Sequence, residues 1–391
     1  MQMNIRPATP VIAALLSALV AVADFFSPVR GATLGTTLPD GLYAEIGTPR
    51  GLIVCELFYT KAPLTVANFV GLAEGTLGPA PRKPYFDGLT FHRVIADFVV
   101  QGGDPTATGN GGPGYLFPDE LVPGLRHDTA GVLSMANSGP DTNGSQFFLT
   151  LSDTRRLNYL HSVFGRAIRG LDVLSQIKQG DTMTVKIRRI GAAAKSFQAD
   201  EKTFTALAEK TQKYAAERLP GPTAHFDDPD KMLPTEPRRS LVFNYKLANL
   251  ERATGLRIVA RLQSKSPTDA EDAQPGAFMR ALAAKVGTEK RGALAVYFAD
   301  DDSWRVWIGD ELAPRFVGKA GTAREFTDSG AMHDVKEPFL KAVKATGDAD
   351  YAKQQATLAA AQQPPQPPAQ RIKLQTDAML DGLIRKLEPK P

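Results

Sequence analysis

Two short stretches of this chain hold side chains that could do chemistry together. Phe91-His92-Arg93-Val94-Ile95 runs through Phe98 to Gln101-Gly102-Gly103-Asp104. Gly131-Val132-Leu133-Ser134-Met135-Ala136-Asn137 runs through Asn143 to Gln146-Phe147-Phe148. They join one arginine to apolar side chains and a few amides. They contain no hydroxyl–imidazole pair, no metal-ligand spacing and no paired carboxylates. Such a set is suited to turning a peptide bond rather than breaking one. Rotation about X-Pro is slow because amide resonance sets a barrier of ~18–20 kcal/mol. A cationic donor aimed at the prolyl nitrogen weakens that resonance, because the nitrogen lone pair becomes available only as the amide twists. The contact is therefore stronger in the transition state than in the ground state. Arginine suits the role, being permanently charged with several donors in a fixed fork. Arg93 is the candidate.

The two motifs, in this order and followed by His161-Ser162-Val163-Phe164-Gly165, resemble the cyclophilin family of peptidyl-prolyl cis-trans isomerases. The resemblance covers Gly41 to Gly191 and implies an eight-stranded antiparallel β-barrel capped by two helices. It implies that Phe98, Phe148 and Leu157 wall a proline pocket, with Val99 and His161 beside them. Gln101 and Asn137 would hold substrate carbonyl and amide groups, and Ala136 and Gln146 would line the groove. It implies proline-containing polypeptides as substrates and no cofactor. Arg156 stands where animal cyclophilins place a tryptophan, and Val99 where methionine is common. Weak binding of cyclosporin follows, with catalysis intact. A barrel that only grips Pro-containing segments of a partner is the alternative, with the second domain as scaffold.

Other motifs carry less. Gly109 to Gly114 fits GxGxxG, but Pro113 interrupts it and no helix follows, so it reads as a loop beside the groove. Asn143-Gly144-Ser145 reads as a turn rather than a glycosylation site. Asp300-Asp301-Asp302, and His225 with Asp227, Asp228 and Asp230, are loose cation candidates that read better as turn and linker residues. The single cysteine, Cys55, excludes an internal disulfide and reads as a buried strand residue.

The elements that must position these residues follow from periodicity. Strands are expected at 42–46, 52–58, 90–94, 98–101, 132–135, 147–151, 163–167 and 184–190, with helices at 63–72 and 171–176. At 391 residues, with 43% apolar residues, the chain is long enough for more than one domain. The expected organisation is a signal peptide at 1–23, a tether at 24–40, the cyclophilin-like domain at 41–193, a helical and Pro-rich linker at 194–237, an α/β domain at 238–358, and a Gln/Pro linker with a C-terminal helix at 359–391. In the α/β domain, Phe243, Leu247 and Leu250 mark a helix ended by Gly255, and 292–299 and 304–308 form a hairpin. That order is similar to the TPM domain family and implies a smaller α/β sandwich.

Net charge is +4 with scattered Lys and Arg, which argues against nucleic acid. Arg6, the apolar run Val11 to Val22 and the small-x-small Ala21-Val22-Ala23 read as a cleaved export signal. The run is shorter than the ~20 residues a membrane span needs. An exported protein, periplasmic or extracellular, is the expectation.

Overall fold

The structure is a computed structural model and describes residues 38–211, 221 and 223–389. The signal-like segment 1–23 lies outside the described residues. From Asp40 onward the chain packs as one unit.

The first part is an eight-stranded antiparallel sheet. Its strands are β1 (Gly41–Thr48), β2 (Gly51–Leu57), β3 (Arg93–Ile95), β4 (Val99–Gly102), β5 (Val132–Met135), β6 (Phe147–Thr150), β7 (Val163–Arg169) and β8 (Thr184–Ile190). Each falls on one of the expected apolar runs. The spatial order is β3-β4-β6-β5-β7-β2-β1-β8. The expected closed barrel needs correction, because β3 and β8 do not pair with each other. The seam is bridged instead by irregular backbone: Phe91 N–H donates to Asp181 (2.9 Å), Gly180 N–H to Phe91 (3.0 Å) and Met183 N–H to Leu89 (2.8 Å). Gly88 and Gly180 sit at φ 82° and 89°, so neither segment there can run as an extended strand.

Helix α1 (Pro63–Glu74) starts on its proline and ends at Gly75 in the left-handed region, as those residue types dictate. It fills the sheet's concave face. Phe69 meets Phe86, Phe147 and Phe164 at centroid distances of 5.0, 5.4 and 5.3 Å. A short helix, α2 (Leu171–Leu174), follows β7. Two more, α3 (Ala192–Ser196) and α4 (Glu201–Lys210), come from the segment expected to be linker. Phe204 of α4 packs on Tyr115 and Phe117.

The second part is built on a four-stranded sheet. β9 (Phe226–Asp227), β10 (Arg257–Gln263) and β11 (Gly292–Phe298) run parallel, and β12 (Ser303–Ile308) returns antiparallel to β11. Every residue of β11 is buried, as expected of a strand covered on both faces. α5 (Arg239–Thr254) covers one face through Phe243, Leu247 and Leu250. α6 (Ala277–Lys285) covers the other through Met279 and Ala283. The C-terminal half of the expected linker thus supplies β9 and the buried Phe226 and Leu233.

Beyond β12 come α7 (Ala313–Val317), α8 (Ala323–Asp328), α9 (Ala331–Ala360) and α10 (Pro368–Leu387). α9 and α10 form a helical hairpin. The Gln/Pro tract is its turn, where the Gln366 carbonyl accepts from Tyr351 and Gln355. Leu380, Leu383, Ile384 and Leu387 of α10 are fully or almost fully buried in the core shared with α5 and β10. Among the described residues no helix is long and apolar enough to cross a membrane.

Candidate functional site

Pleating sorts β4, β5 and β6 into two faces. Val100, Leu133, Met135, Phe147 and Leu149 point into the core. Val99, Gln101, Ser134 and Phe148 take the opposite face. Register then aligns a row across three neighbouring pairs: Arg93 faces Gln101, Gln101 faces Phe148, and Phe148 faces Ser134. The one arginine, one of the amides and the apolar wall therefore share a surface because of strand pairing alone.

The polar end is a relay. Arg93 Nη1 donates to Gln101 Oε1 (3.2 Å), and Gln101 Nε2 donates to Gln146 Oε1 (2.9 Å). Gln146 Nε2 donates to the carbonyls of Gly109 and Gly111, both at 2.9 Å. Each amide is fixed in one orientation by its neighbour. The glycine-rich loop ending the relay is itself held by Asp104, which accepts from Thr106 N–H (2.7 Å) and Gly109 N–H (2.5 Å). Burial pushes the Asp104 carboxyl up, but the bonds from Thr106, Gly111 and Gly109 outweigh it and hold the group below its ordinary value. A cavity of about 440 Å³ opens here, lined by Gln101, Gly109 to Gly114, Ala136, Asn137 and Gln146.

The apolar end centres on Phe148, which is 4% exposed. His161 meets its ring edge-on at 5.4 Å, and His127 stacks on it at 5.7 Å. His161 Nδ1 lies 3.0 Å from the Met135 carbonyl. A carbonyl only accepts, so in the neutral ring the proton sits on Nδ1. Burial pushes His161 down to about 4, with the Met135 bond pulling the other way. His127, buried and bonded to Ser134 and Asn158, is pushed down to about 3 by burial and then by His161. Both imidazoles are therefore neutral at pH 7. Phe98 has two guanidiniums over its ring, with Arg93 Cζ at 5.9 Å and Arg156 Cζ at 4.2 Å from its centroid. Leu157 ends a 3-10 turn, Arg155–Leu157, and is half-buried. Asn137 Nδ2 donates to the Leu160 carbonyl (2.8 Å), tying the loop after β5 to the loop that carries Leu157 and His161.

Sequence reasoning missed His127 and the seat of Arg156 on Phe98. Neither leaves a local signal. His127 lies outside both motifs and reaches Phe148 only through the fold. The weaker candidates have structural duties. Buried Asn143 donates to Asp119 (2.8 Å) and the Phe117 carbonyl. Asp300 accepts from Ser266, Asp301 from Ser303, and Asp302 from Tyr297 and Arg371. Asp228 caps Met232 and Leu233. Among the described residues no group of three or more His, Cys, Asp or Glu is placed to hold a metal. Burial pushes the Cys55 thiol up to about 12, which makes it inert.

Comparison with known proteins shows what family the first part resembles. The family model for cyclophilin type peptidyl-prolyl cis-trans isomerases matches residues 43–192. Peptidyl-prolyl cis-trans isomerase A of Mycobacterium tuberculosis is 53% identical over 132 residues, 32% of this chain and 72% of that protein. Human peptidyl-prolyl cis-trans isomerase-like 1 is 46% identical over 147 residues, 37% of this chain and 82% of its own. A crystallised cyclophilin type isomerase of Cryptosporidium parvum, studied with the dipeptide Ala-Pro, is 34% identical with a TM-score of 0.33, covering 38% of this chain and 99% of that one. With an arginine–amide relay on one side of the groove, an aromatic wall on the other, and relatives of this closeness, the chain belongs to the cyclophilin-type peptidyl-prolyl cis-trans isomerases.

Proposed function

We propose that this chain accelerates X-Pro isomerisation in exported polypeptides, with Arg93 as the catalytic residue. The observation that carries the assignment is the Arg93–Gln101–Gln146 relay lying on the same sheet face as Phe148. Proline would seat against Phe98, Val99, Phe148, Leu157 and His161. The substrate backbone would run past Gln101, Ala136, Asn137 and Gln146. As the amide twists, the prolyl nitrogen becomes pyramidal and its lone pair accepts from the guanidinium. Gln101 keeps that guanidinium from wandering, so little reorganisation remains for the transition state. A neutral His161 keeps the pocket apolar and adds no positive charge that would compete with Arg93.

Arg93→Ala should lower kcat/KM on a short X-Pro peptide at least 100-fold with the fold intact. That is about 3 kcal/mol at 1.36 kcal/mol per tenfold. Turnover near wild type in a folded variant would remove Arg93 from the mechanism. Turnover by the wild type also separates an enzyme from a module that merely grips proline. Export is supported by Arg6, Val11 to Val22 and Ala21-Val22-Ala23. A mature N-terminus at Asp24 on protein recovered outside the cytoplasm is the expected result. The likeness of the second part to TPM domains is supported by α5, its Gly255 stop and the β11–β12 hairpin.

A further inference from the structure

The segment 154–161 carries Leu157 and His161, one side of the pocket. The first part ties it at Thr154, whose N–H donates to the His127 carbonyl (2.7 Å), at Asn158, which accepts from His127 N–H (2.8 Å), and at the Leu160 carbonyl, which accepts from Asn137. Its start, Thr154 to Arg156, instead borders a cavity of about 640 Å³ shared with α9 and α10. Between these ties the backbone takes a conformation that is not intrinsically favoured. Tyr159, a bulky residue, sits at φ 61° in the left-handed region. Such a conformation persists only where the surroundings impose it.

The second part imposes it. Lys246, Asn249 and Arg252 recur every three residues along one face of α5, beside the stripe of Phe243, Leu247 and Leu250 that fills the core. Lys246 is fully buried, with Nζ 3.5 and 3.4 Å from the carbonyls of Arg155 and Arg156, and it forms an ion pair with Asp381 of α10. Asn249 Nδ2 donates to the Tyr159 carbonyl at 2.8 Å. The Tyr159 hydroxyl donates to Glu388, just past α10. Glu388 also accepts from Gly124 N–H (3.0 Å) and pairs with Arg126. Arg252 lies 3.4 Å from Asp141 and 3.9 Å from Asp119, and Asp119 accepts from Asn143.

We propose that the second part is a positioning element of the isomerase: Lys246 and Asn249, backed by Asp381 and Glu388, hold segment 154–161 in the conformation that forms the proline pocket. The inference rests on the pocket assignment above. None of these residues touches substrate. Freed, the segment would spend part of its time away from Phe148, and apparent affinity would fall by the fraction of competent pocket.

The test uses the full chain. Lys246→Met with Asp381→Leu removes the carbonyl bonds and both buried charges together, which limits the stability loss. Asn249→Ala is the independent second variant. Melting, kcat and KM are measured for each on a short X-Pro peptide. The expected result in folded protein is KM raised about tenfold with kcat within twofold of wild type. A merely structural role would lower the folded fraction, so kcat per total protein would drop at unchanged KM. That outcome, or KM within twofold in both variants, overturns the proposal. Arg93→Ala and Phe148→Ala run alongside separate the two claims: retained turnover in Arg93→Ala removes Arg93 from the proposed mechanism, and an unchanged KM in folded Phe148→Ala defeats the pocket assignment, whatever the clamp variants do.

Discussion

A guanidinium does its work without titrating, and here its imidazole neighbours are held out of the titration as well. Turnover should therefore vary less than twofold from pH 6 to 9. Stability should not be so indifferent. His127 and His161 sit at about 3 and about 4, below the ~6.5 of an unfolded chain. Between those values the unfolded state binds more protons, so the stabilisation is complete above pH 6.5 and is lost as pH falls. Asp119, pushed up to about 6 by burial, has the opposite sign and gains a proton in the folded state between about pH 4 and 6. Over that window the histidine pair and Asp119 therefore pull stability in opposite directions. Imidazole C–H shifts of His127 and His161 should stay flat from pH 8 to 5. A midpoint near 6.5 for either would show that burial does not control it.

At the scale of elements, helix α9 and helix α10 cross at Gly347. A Cβ there would come within 2.5–2.6 Å of the Gln375 backbone. Helix propensity alone says Gly347→Ala gains about 1 kcal/mol. Close approach says the helices must separate, at a cost of ~1–3 kcal/mol. The expected sign is destabilisation, read from urea midpoints, and a stabilised variant would mean the hairpin yields freely. This crossing also shows what sequence reading can reach. The strands of the first part were legible because each is a short apolar run between turn residues. Arg93, Gln101 and Phe148 were legible because they lie inside motifs. α9 was not, because its 30 residues bury only Phe339, Val343 and Gly347, with no sustained apolar stripe, and carry Pro338 within. The ends of the sheet failed for another reason. Apolar alternation says that a strand has a buried face, but not whether its edge meets another strand, and the φ > 0 glycines that break the β3–β8 seam look like any turn.

For the molecule as a whole, composition pointed to two parts joined by a proline-rich tether. The described stretches of 194–237 instead pack on both parts, and ion pairs join them at Arg252 with Asp119 and Asp141 and at Glu388 with Arg126. Removing one partner of such a buried pair costs several kcal/mol. Both parts should then unfold together. The only two tryptophans, Trp304 and Trp307, lie on β12, so intrinsic fluorescence reports the second part alone. Its urea midpoint should coincide with that for loss of isomerase activity. Two separate midpoints would show parts that stand independently.

The Tyr159–Glu388 contact spans 229 positions of sequence. A ribosome adding about 5–20 residues per second needs roughly ten to fifty seconds to travel that far. Every strand that carries the groove is made by then, while the last tether to its wall is still unwritten. A nascent chain would thus pass through a period as a catalyst with all its chemistry and a slack grip. A message cut short after β8 but before codon 388 would leave it in that condition for good.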